Sequence, residues 1–112
     1  MDKLIALLDS IELPYALNAF PTKSKSYTPP EPPFMCYIFT GSDNIGADNK
    51  VWKRVENVSI ELYTDAKDPT QEAKIRNALD NAGIFYETTE TNLPSDRLYM
   101  VVFSFQMEVN NG

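Results

Sequence analysis

The chain has 112 residues, the size of one domain, and its hydrophobic fraction of 43% is typical of a globular protein with a core. Its 10 Lys and Arg residues against 16 Asp and Glu residues give a net charge of −6, which argues against general binding to a nucleic-acid backbone. A single cysteine and no histidine exclude an internal disulfide, the usual zinc sites and histidine-based catalysis.

The N-terminal segment has the spacing of an amphipathic helix. Apolar residues recur at i, i+1, i+3, i+4 and i+7 up to Ile11, and Pro14 stops the helix, which we predict over residues 1–12. The apolar run 15–20 is compatible with a brief strand. No apolar run approaches the roughly 20 residues that cross a membrane, and no signal-peptide pattern is present, so we expect a soluble, intracellular protein.

Proline dominates the next segment. Five of the eight prolines lie in residues 21–33, among them Pro29 and Pro30, and this density favours an extended, polyproline-like backbone. We predict a long arm or loop here. A semi-rigid connector is the simplest interpretation, a docking arm for a neighbouring subunit is the second, and a ligand for a proline-reading domain is the least favoured.

Two strands are predicted on either side of a polar loop. Residues 34–39 form a continuous apolar run of strand length. Residues 51–63 alternate between apolar and polar side chains, with a bulge or bend indicated near residues 56–57. Between them, residues 42–50 are rich in turn-forming types and predict a hairpin loop, whose acidic spacing favours a solvated turn over a calcium site.

The clearest local signal is a helix over residues 69–82. Asp68 is placed as its N-cap, Pro69 occupies the first helical position, and Gln71 has the position that closes a capping box. Apolar residues then recur at helical spacing, and Gly83 suits the C-terminal cap.

Two further strands are predicted at residues 84–90 and 97–109. The second of these is apolar on both faces in its first half, which predicts that its beginning is covered twice. The element order predicts a single α+β domain over residues 1–112, with two helices packed on one face of an antiparallel sheet of mixed strand lengths within residues 34–109. A sheet this small leaves exposed edges, which favour an oligomer.

Catalytic constellations are not indicated. The carboxylate pairs Asp65 with Asp68 and Glu87 with Glu90 are explained by a helix cap and a strand end. Cys36 is interpreted as a small buried hydrophobe, because no histidine exists to activate its thiol. We therefore predict that the protein is not an enzyme and holds no cofactor or metal.

The charge is divided unevenly along the chain. Residues 1–55 carry 6 basic and 6 acidic side chains, whereas residues 56–112 carry 4 and 10. A solvated acidic face is the simpler interpretation; a surface that lets a polyanion pass, or that meets a basic partner, is the alternative. Trp52, Lys53 and Arg54 are either an interface anchor with two cations or a part of a strand with a half-buried Trp.

Three segments carry a family resemblance: the text ELYTDAKDP at residues 61–69, AGIFYE at 82–87, and Leu98 to Val101. Together they resemble small neck proteins of long-tailed phages and prophages, and most of all the tail terminator family, also called tail completion or minor tail proteins. The likeness runs from about Val51 to the C-terminus; the N-terminal helix and the arm agree only in general layout.

The resemblance implies an α+β fold assembled into a ring, six-fold in such a family, that caps the tail tube, stops tube polymerisation and offers the surface to which the filled head attaches. The implied partners are further copies of this chain, the tail tube protein and a head-side connector protein, with DNA only as passing cargo and no membrane. The implied locations are the bacterial host cytoplasm during assembly and then the virion. Interface residues are predicted at Trp52, Lys53, Arg54, Pro29 and Pro30, and acidic residues facing the lumen at Glu87, Glu90 and Asp96.

Two alternatives remain open. A head closure or head-tail connector protein shares the size and ring habit of a tail terminator. A small ligand-binding or enzymatic α+β domain belongs to another class and requires a pocket with convergent polar groups.

Overall fold

The computed structural model describes residues 2–42, 45–47, 50–93 and 97–109. Its elements in chain order are α1 (Asp2–Ile11), β1 (Tyr15–Leu17), β2 (Phe34–Ser42), β3 (Ile45–Ala47), β4 (Lys50–Thr64), α2 (Pro69–Asn81), β5 (Tyr86–Leu93) and β6 (Leu98–Val109). Both helices and every predicted strand are present, with ends within three residues of those expected from the sequence.

The described strands form one sheet in the order β1-β2-β4-β6-β5, with β3 paired to the start of β4. Every pair is antiparallel except β1 with β2, which is parallel. The α+β prediction is confirmed, and the sheet is mixed at its β1 edge. The brief strand compatible with residues 15–20 forms over three residues only, because Pro21 and the arm follow closely.

Both helices pack on one face of the sheet. The apolar faces of α1 and α2 meet alternate residues of β2, β4 and β6, since side chains in a strand point alternately to opposite faces. The buried core consists of Leu4, Leu7, Leu8, Ile11, Met35, Val58, Ile60, Leu62, Ile75, Leu79, Val101, Phe103, Phe105 and Met107. The helices leave the opposite face of the sheet, called here the open face, without a helical layer.

The open face shows what covers the first half of β6, which the sequence predicted to be covered on both sides. Met100 and Val102 of β6 lie on it and are half-buried, so the second cover expected over the start of this strand is not a helix. Further along β6 the open face is polar, and Ser104 Oγ lies 3.1 Å from Ser59 Oγ of β4. Alternation in the second half of β6 is therefore confirmed, while its first half carries apolar side chains on a face without helices.

A register shift between β2 and β4 confirms the predicted irregularity but places the extra residue in β2 and not in β4. Phe39 pairs with Val58 and Gly41 with Asn57, so Thr40 is the extra residue and the bulge belongs to β2. The predicted loop 42–50 is wrong in one respect, because Ile45–Ala47 form β3 against β4. The loop's acidic and amide residues at 43, 44, 48 and 49 lie outside the described residues.

Helix α2 is closed at both ends as the sequence indicates. The backbone N–H of Gln71 donates to Asp68 Oδ1 over 3.3 Å, and Pro69 is the first helical residue. The Oε1 atom of Gln71 is buried with no hydrogen-bond partner in the described part of the chain, so the second half of the capping box does not form. Gly83 follows the C-cap with φ of 70°, a left-handed conformation that glycine adopts without a steric penalty.

The predicted arm, residues 21–33, runs between β1 and β2 without helix. A backbone bridge joins Ser24 to Tyr27 within it. At the base of the arm, the ring of Phe20 packs edge-on against Phe34 at 5.3 Å, and Phe34 stacks on Tyr63 at 5.2 Å. The arm therefore covers the corner of the open face formed by β2 and the end of β4.

Candidate assembly surface

The predicted cationic anchor lies at the start of β4. Lys53 pairs with Ile45 of β3, and Arg54 pairs with Val109 at the end of β6. Arg54 is exposed, whereas the side chains of Trp52 and Lys53 lie outside the described part of the structure. This end of β4 extends past the residues that pair with β2, so the segment is at the periphery of the sheet, and its role as an interface stays a prediction.

Pro29 and Pro30 lie over the open face. They are half-buried, and with Phe34, Cys36 and Tyr63 they line a groove of about 430 Å³ between the arm and the sheet. Both prolines therefore contact their own domain. Their availability to a neighbouring subunit remains a prediction, and it concerns only the part of each ring that the sheet leaves uncovered.

Two titratable groups beneath this groove are unreactive. Cys36 is buried as expected, and burial raises the pKa of its thiol, so the nucleophilic thiolate is disfavoured. Burial also raises the pKa of Tyr63, whose hydroxyl donates to Glu61 Oε1 over 3.0 Å. The groove thus offers an apolar wall with a protonated thiol and phenol, and these groups give it no activated nucleophile.

The carboxylates predicted to share a lumen are separated by the pleat of β5. Glu87 pairs with Ser104 on the open face, whereas Glu90 pairs with Val101 on the helix face. Both are exposed, and Asp96 lies outside the described residues. The structure does not bring the two glutamates together, so a surface that uses one of them does not include the other. The lumen assignment itself stays a prediction.

Glu90 belongs instead to a charged network that the sequence did not reveal. Lys67 Nζ donates to Glu90 and, over 2.9 Å, to Glu72 Oε1, while the hydroxyl of Tyr99 donates to Glu90 Oε1 over 3.0 Å. Arg76 Nη2 lies 3.7 Å from Glu72 Oε1, one helical turn away on α2. The network ties the loop before α2 to β5 and β6.

The protonation of this network follows from its geometry. The hydrogen bond from Lys67 lowers the pKa of Glu90, and the same contact raises the pKa of Lys67. Desolvation and the hydrogen bond to Glu90 raise the pKa of Tyr99. All three changes favour the fully charged ion pair with a neutral phenol, an arrangement that holds elements together and leaves no group poised to exchange a proton near neutral pH.

Other kinds of site are not indicated in the described residues. They contain no group of three or more metal-ligating side chains, and none of their helices is long and apolar enough to cross a membrane. A groove of about 670 Å³ separates α1 from the end of α2, and another of about 590 Å³ lies beside the start of β5. Both are open to solvent.

The most exposed large apolar side chain of the described residues was not singled out from the sequence. Phe85, between α2 and β5, is 85% exposed. Its neighbours Ile84 and Tyr86 pack against the core, so the alternation of the chain directs Phe85 outward. The signal was present in the sequence, because an apolar residue between two inward-facing residues lies on the opposite side of an extended chain.

Comparison with known proteins establishes the fold. No protein-family model matches the chain, and no curated protein matches it. Fourteen chains of solved structures match. One belongs to the structure described as "Virion of native gene transfer agent (GTA) particle": the match has a TM-score of 0.55 and 12% identity, and covers 92% of this chain and 83% of that chain.

The fold is shared with a component of that particle. The likeness spans nearly the whole chain, whereas the sequence resemblance runs only from about Val51 onward. At 12% identity the match establishes architecture and transfers no residue role. The surfaces described above must therefore be assigned from this chain's own chemistry.

Proposed function

We propose that this chain is a structural protein of a tailed-phage or phage-like particle, and that it acts as a tail terminator. In this role copies of the chain form a ring on the end of the tail tube, stop the addition of tube subunits and offer the surface to which the head attaches. The protein acts by binding, is assembled in the host cytoplasm and ends in the virion.

One observation carries the proposal: the fold match to a component of a virion particle covers nearly the whole chain. The sequence resemblance over residues 61–69 and 82–87 points to the same class of protein from independent information. The charged network and the groove are consistent with it, because Lys67 forms structural ion pairs with Glu72 and Glu90, and burial raises the pKa of Cys36 and Tyr63.

The partners follow from the same proposal. The tail tube protein meets one side of the ring, a head-side connector protein meets the other, and DNA passes through the centre. Trp52, Lys53 and Arg54 are proposed for the tube or subunit contact, since Arg54 is exposed at the periphery of the sheet. Glu87 is proposed for a surface that DNA passes without binding, because exposed carboxylates repel phosphate.

The test is controlled polymerisation of the tail tube. Purified tube protein from the same particle is polymerised with and without this chain, and tube lengths are measured by negative-stain electron microscopy. We expect the chain to bind one end and to stop elongation when it is added during growth. Unchanged length distributions together with absence of the chain from tube ends would refute the terminator role.

Charge reversal tests the cationic segment in the same assay. Lys53→Glu combined with Arg54→Glu should weaken end binding, whereas reversal of the exposed Lys74 on α2 provides a matched control and should leave it unchanged. If the chain copurifies with emptied heads and not with tubes, it is a head closure or connector protein. In that case the fold assignment stands and the position in the neck changes.

A further inference from the structure

The outer edge of β5 is unprotected. In the described part of the chain β5 pairs with β6 alone, and six of its eight residues are exposed. Its sequence, YETTETNL, contains neither proline nor lysine, and its only charged residues are Glu87 and Glu90. A row of free backbone N–H and C=O groups this long is a template for another strand.

The opposite edge of the sheet is also open. Pro14 O accepts from Met35 N over 2.8 Å, and Asn18 N donates to Tyr37 O over 2.9 Å, so these residues bond inward to β2. Alternation then directs the backbone groups of the intervening Tyr15 and Leu17 outward; Leu17 O accepts from Ala19 N over 2.7 Å, so a neighbouring strand would pair with the groups of Tyr15 and with the N–H of Leu17. Leu17 is 47% exposed, which is unusual for a leucine beside a core.

Exposed apolar side chains occupy the same level at both edges. Through the paired strands, Leu17 is in line with Thr88 of β5. In the same way Phe39, 38% exposed on β2 just beyond β1, is in line with Tyr86, which follows Phe85. Two copies placed side by side with their strands level therefore bring Thr88 of one copy beside Leu17 of the next on the helix face, whereas Phe85, whose neighbours face the core, meets the arm side of the next copy on the open face.

Strand direction and charge agree with this placement. β1 runs parallel to β2, and three antiparallel pairings then make β5 run opposite to β1. Copies related by rotation about an axis along the strands thus bring β5 and β1 together antiparallel. On the open face, Glu87 lies at the β5 edge, and the arm at the β1 edge carries exposed Lys23 and Lys25.

We propose that copies of this chain join edge to edge, the outer edge of β5 pairing antiparallel with the outer edge of β1 of the next copy, with Leu17 on the helix-face side of the contact and Phe85 on its open-face side. The two surfaces differ, so the contact is heterologous and repeats until a ring closes. The proposal deepens the proposed function, on which it rests for the ring, by naming the edges that build it.

Disulfide trapping tests the contact. In a Cys36→Ala background, which removes the single native thiol, Leu17→Cys is combined with Thr88→Cys, placing both cysteines on the helix face at the same level. Facing residues of an antiparallel pair are about 4.5 to 5.5 Å apart between Cα atoms, within disulfide range. Mild oxidation should give a ladder of covalent oligomers in denaturing gels. A combination with Glu90→Cys covers a shift of two residues.

Two controls define the outcome. Leu17→Cys with Thr89→Cys uses an equally exposed neighbour on the opposite face of β5 and should give no ladder. Each single-cysteine variant should remain uncoupled. A dimer from Thr88→Cys alone would show a two-fold β5 to β5 contact and would overturn the proposal, as would a chain that gives no ladder in either combination.

Different outcomes test the edge contact and the proposed terminator role. Rings seen by light scattering and negative stain without cross-links would overturn the edge contact and leave the terminator role intact. Tubes that elongate freely in the presence of this chain would remove the terminator role, whether or not the ladder forms. Phe85→Ser should raise the dissociation constant between copies by roughly 10- to 100-fold, as expected for loss of one buried aromatic ring per contact. An unchanged constant contradicts the part assigned to Phe85.

Discussion

Phe103 and Phe85 test whether buried aromatic residues determine folding stability while exposed ones act only in assembly. Phe103 is fully buried in β6, with the Arg76 guanidinium 5.4 Å from its ring centroid and Tyr86 at 6.0 Å. Phe85 is 85% exposed. We expect Phe103→Ala to cost about 3 to 5 kcal/mol in the free energy of unfolding, because it removes the buried ring and leaves a cavity. Phe85→Ala should change that free energy by less than about 0.5 kcal/mol.

The magnitude is large for a domain of this size. Total stabilities of about 5 to 15 kcal/mol are usual, so Phe103→Ala removes about a fifth or more of a typical value. At roughly 4 to 8 °C per kcal/mol for a small domain, the melting temperature should fall by about 12 °C or more. Urea unfolding followed by circular dichroism measures both variants, at a protein concentration at which light scattering shows single copies.

The low concentration matters because association stabilises the folded state by mass action. At concentrations at which copies assemble, Phe85→Ala should lose the concentration dependence of its unfolding midpoint. The reasoning would be refuted if Phe85→Ala cost single copies more than about 1 kcal/mol, or if Phe103→Ala cost less than about 1.5 kcal/mol.

Three further changes test local features. Asp68→Ala removes the acceptor for Gln71 N–H and should cost about 1 kcal/mol, seen as a lower urea midpoint with an unchanged m-value. Gly83→Ala should cost about 1 kcal/mol from its φ of 70° alone, since no atom lies within 4 Å of an added Cβ; a neutral result would refute that origin. Lys67 lowers the pKa of Glu90. The contribution of this carboxylate to the free energy of unfolding is therefore complete above its ordinary pKa of 4.5 and is lost as the pH falls through the lowered value. Glu90→Gln should therefore lower the urea midpoint at about pH 7 and leave it equal to that of the parent chain at about pH 2, whereas a difference that persists in acid would contradict the ion pair.

Local signals predicted local structure well. Helix α2 was predictable because its cap, its first-turn proline and its terminal glycine act within a few residues of chain. The sequence predicted the position of the bulge along the sheet, near residues 56–57, but not the strand that contains it. Broken alternation in β4 indicates a shift in register without showing which of the two paired strands carries the extra residue. Only the pairing identifies Thr40.

Features that depend on residues far apart in the sequence were harder to predict. β3 has three residues and pairs with β4 inside a segment whose composition predicted a loop, whereas the apolar run at residues 15–20 indicated β1 but not its length of three residues. The network of Lys67, Glu72 and Glu90 joins residues up to 23 positions apart. By contrast, the separation of Glu87 from Glu90 follows directly from the two-residue period of a strand, since positions three apart lie on opposite faces.

The arrangement of the core explains why exposed apolar side chains lie at the edges of the sheet. Both helices cover one face of the sheet, so the chain's large apolar residues concentrate in one layer and neither edge receives a helix. The apolar side chains left at the edges, Leu17, Phe39 and Phe85, are therefore outside the layer that decides whether the domain folds. We therefore expect substitutions there to change association through the proposed edge-to-edge contact with little effect on unfolding of a single copy, which is the condition under which such a contact is measurable by mutation.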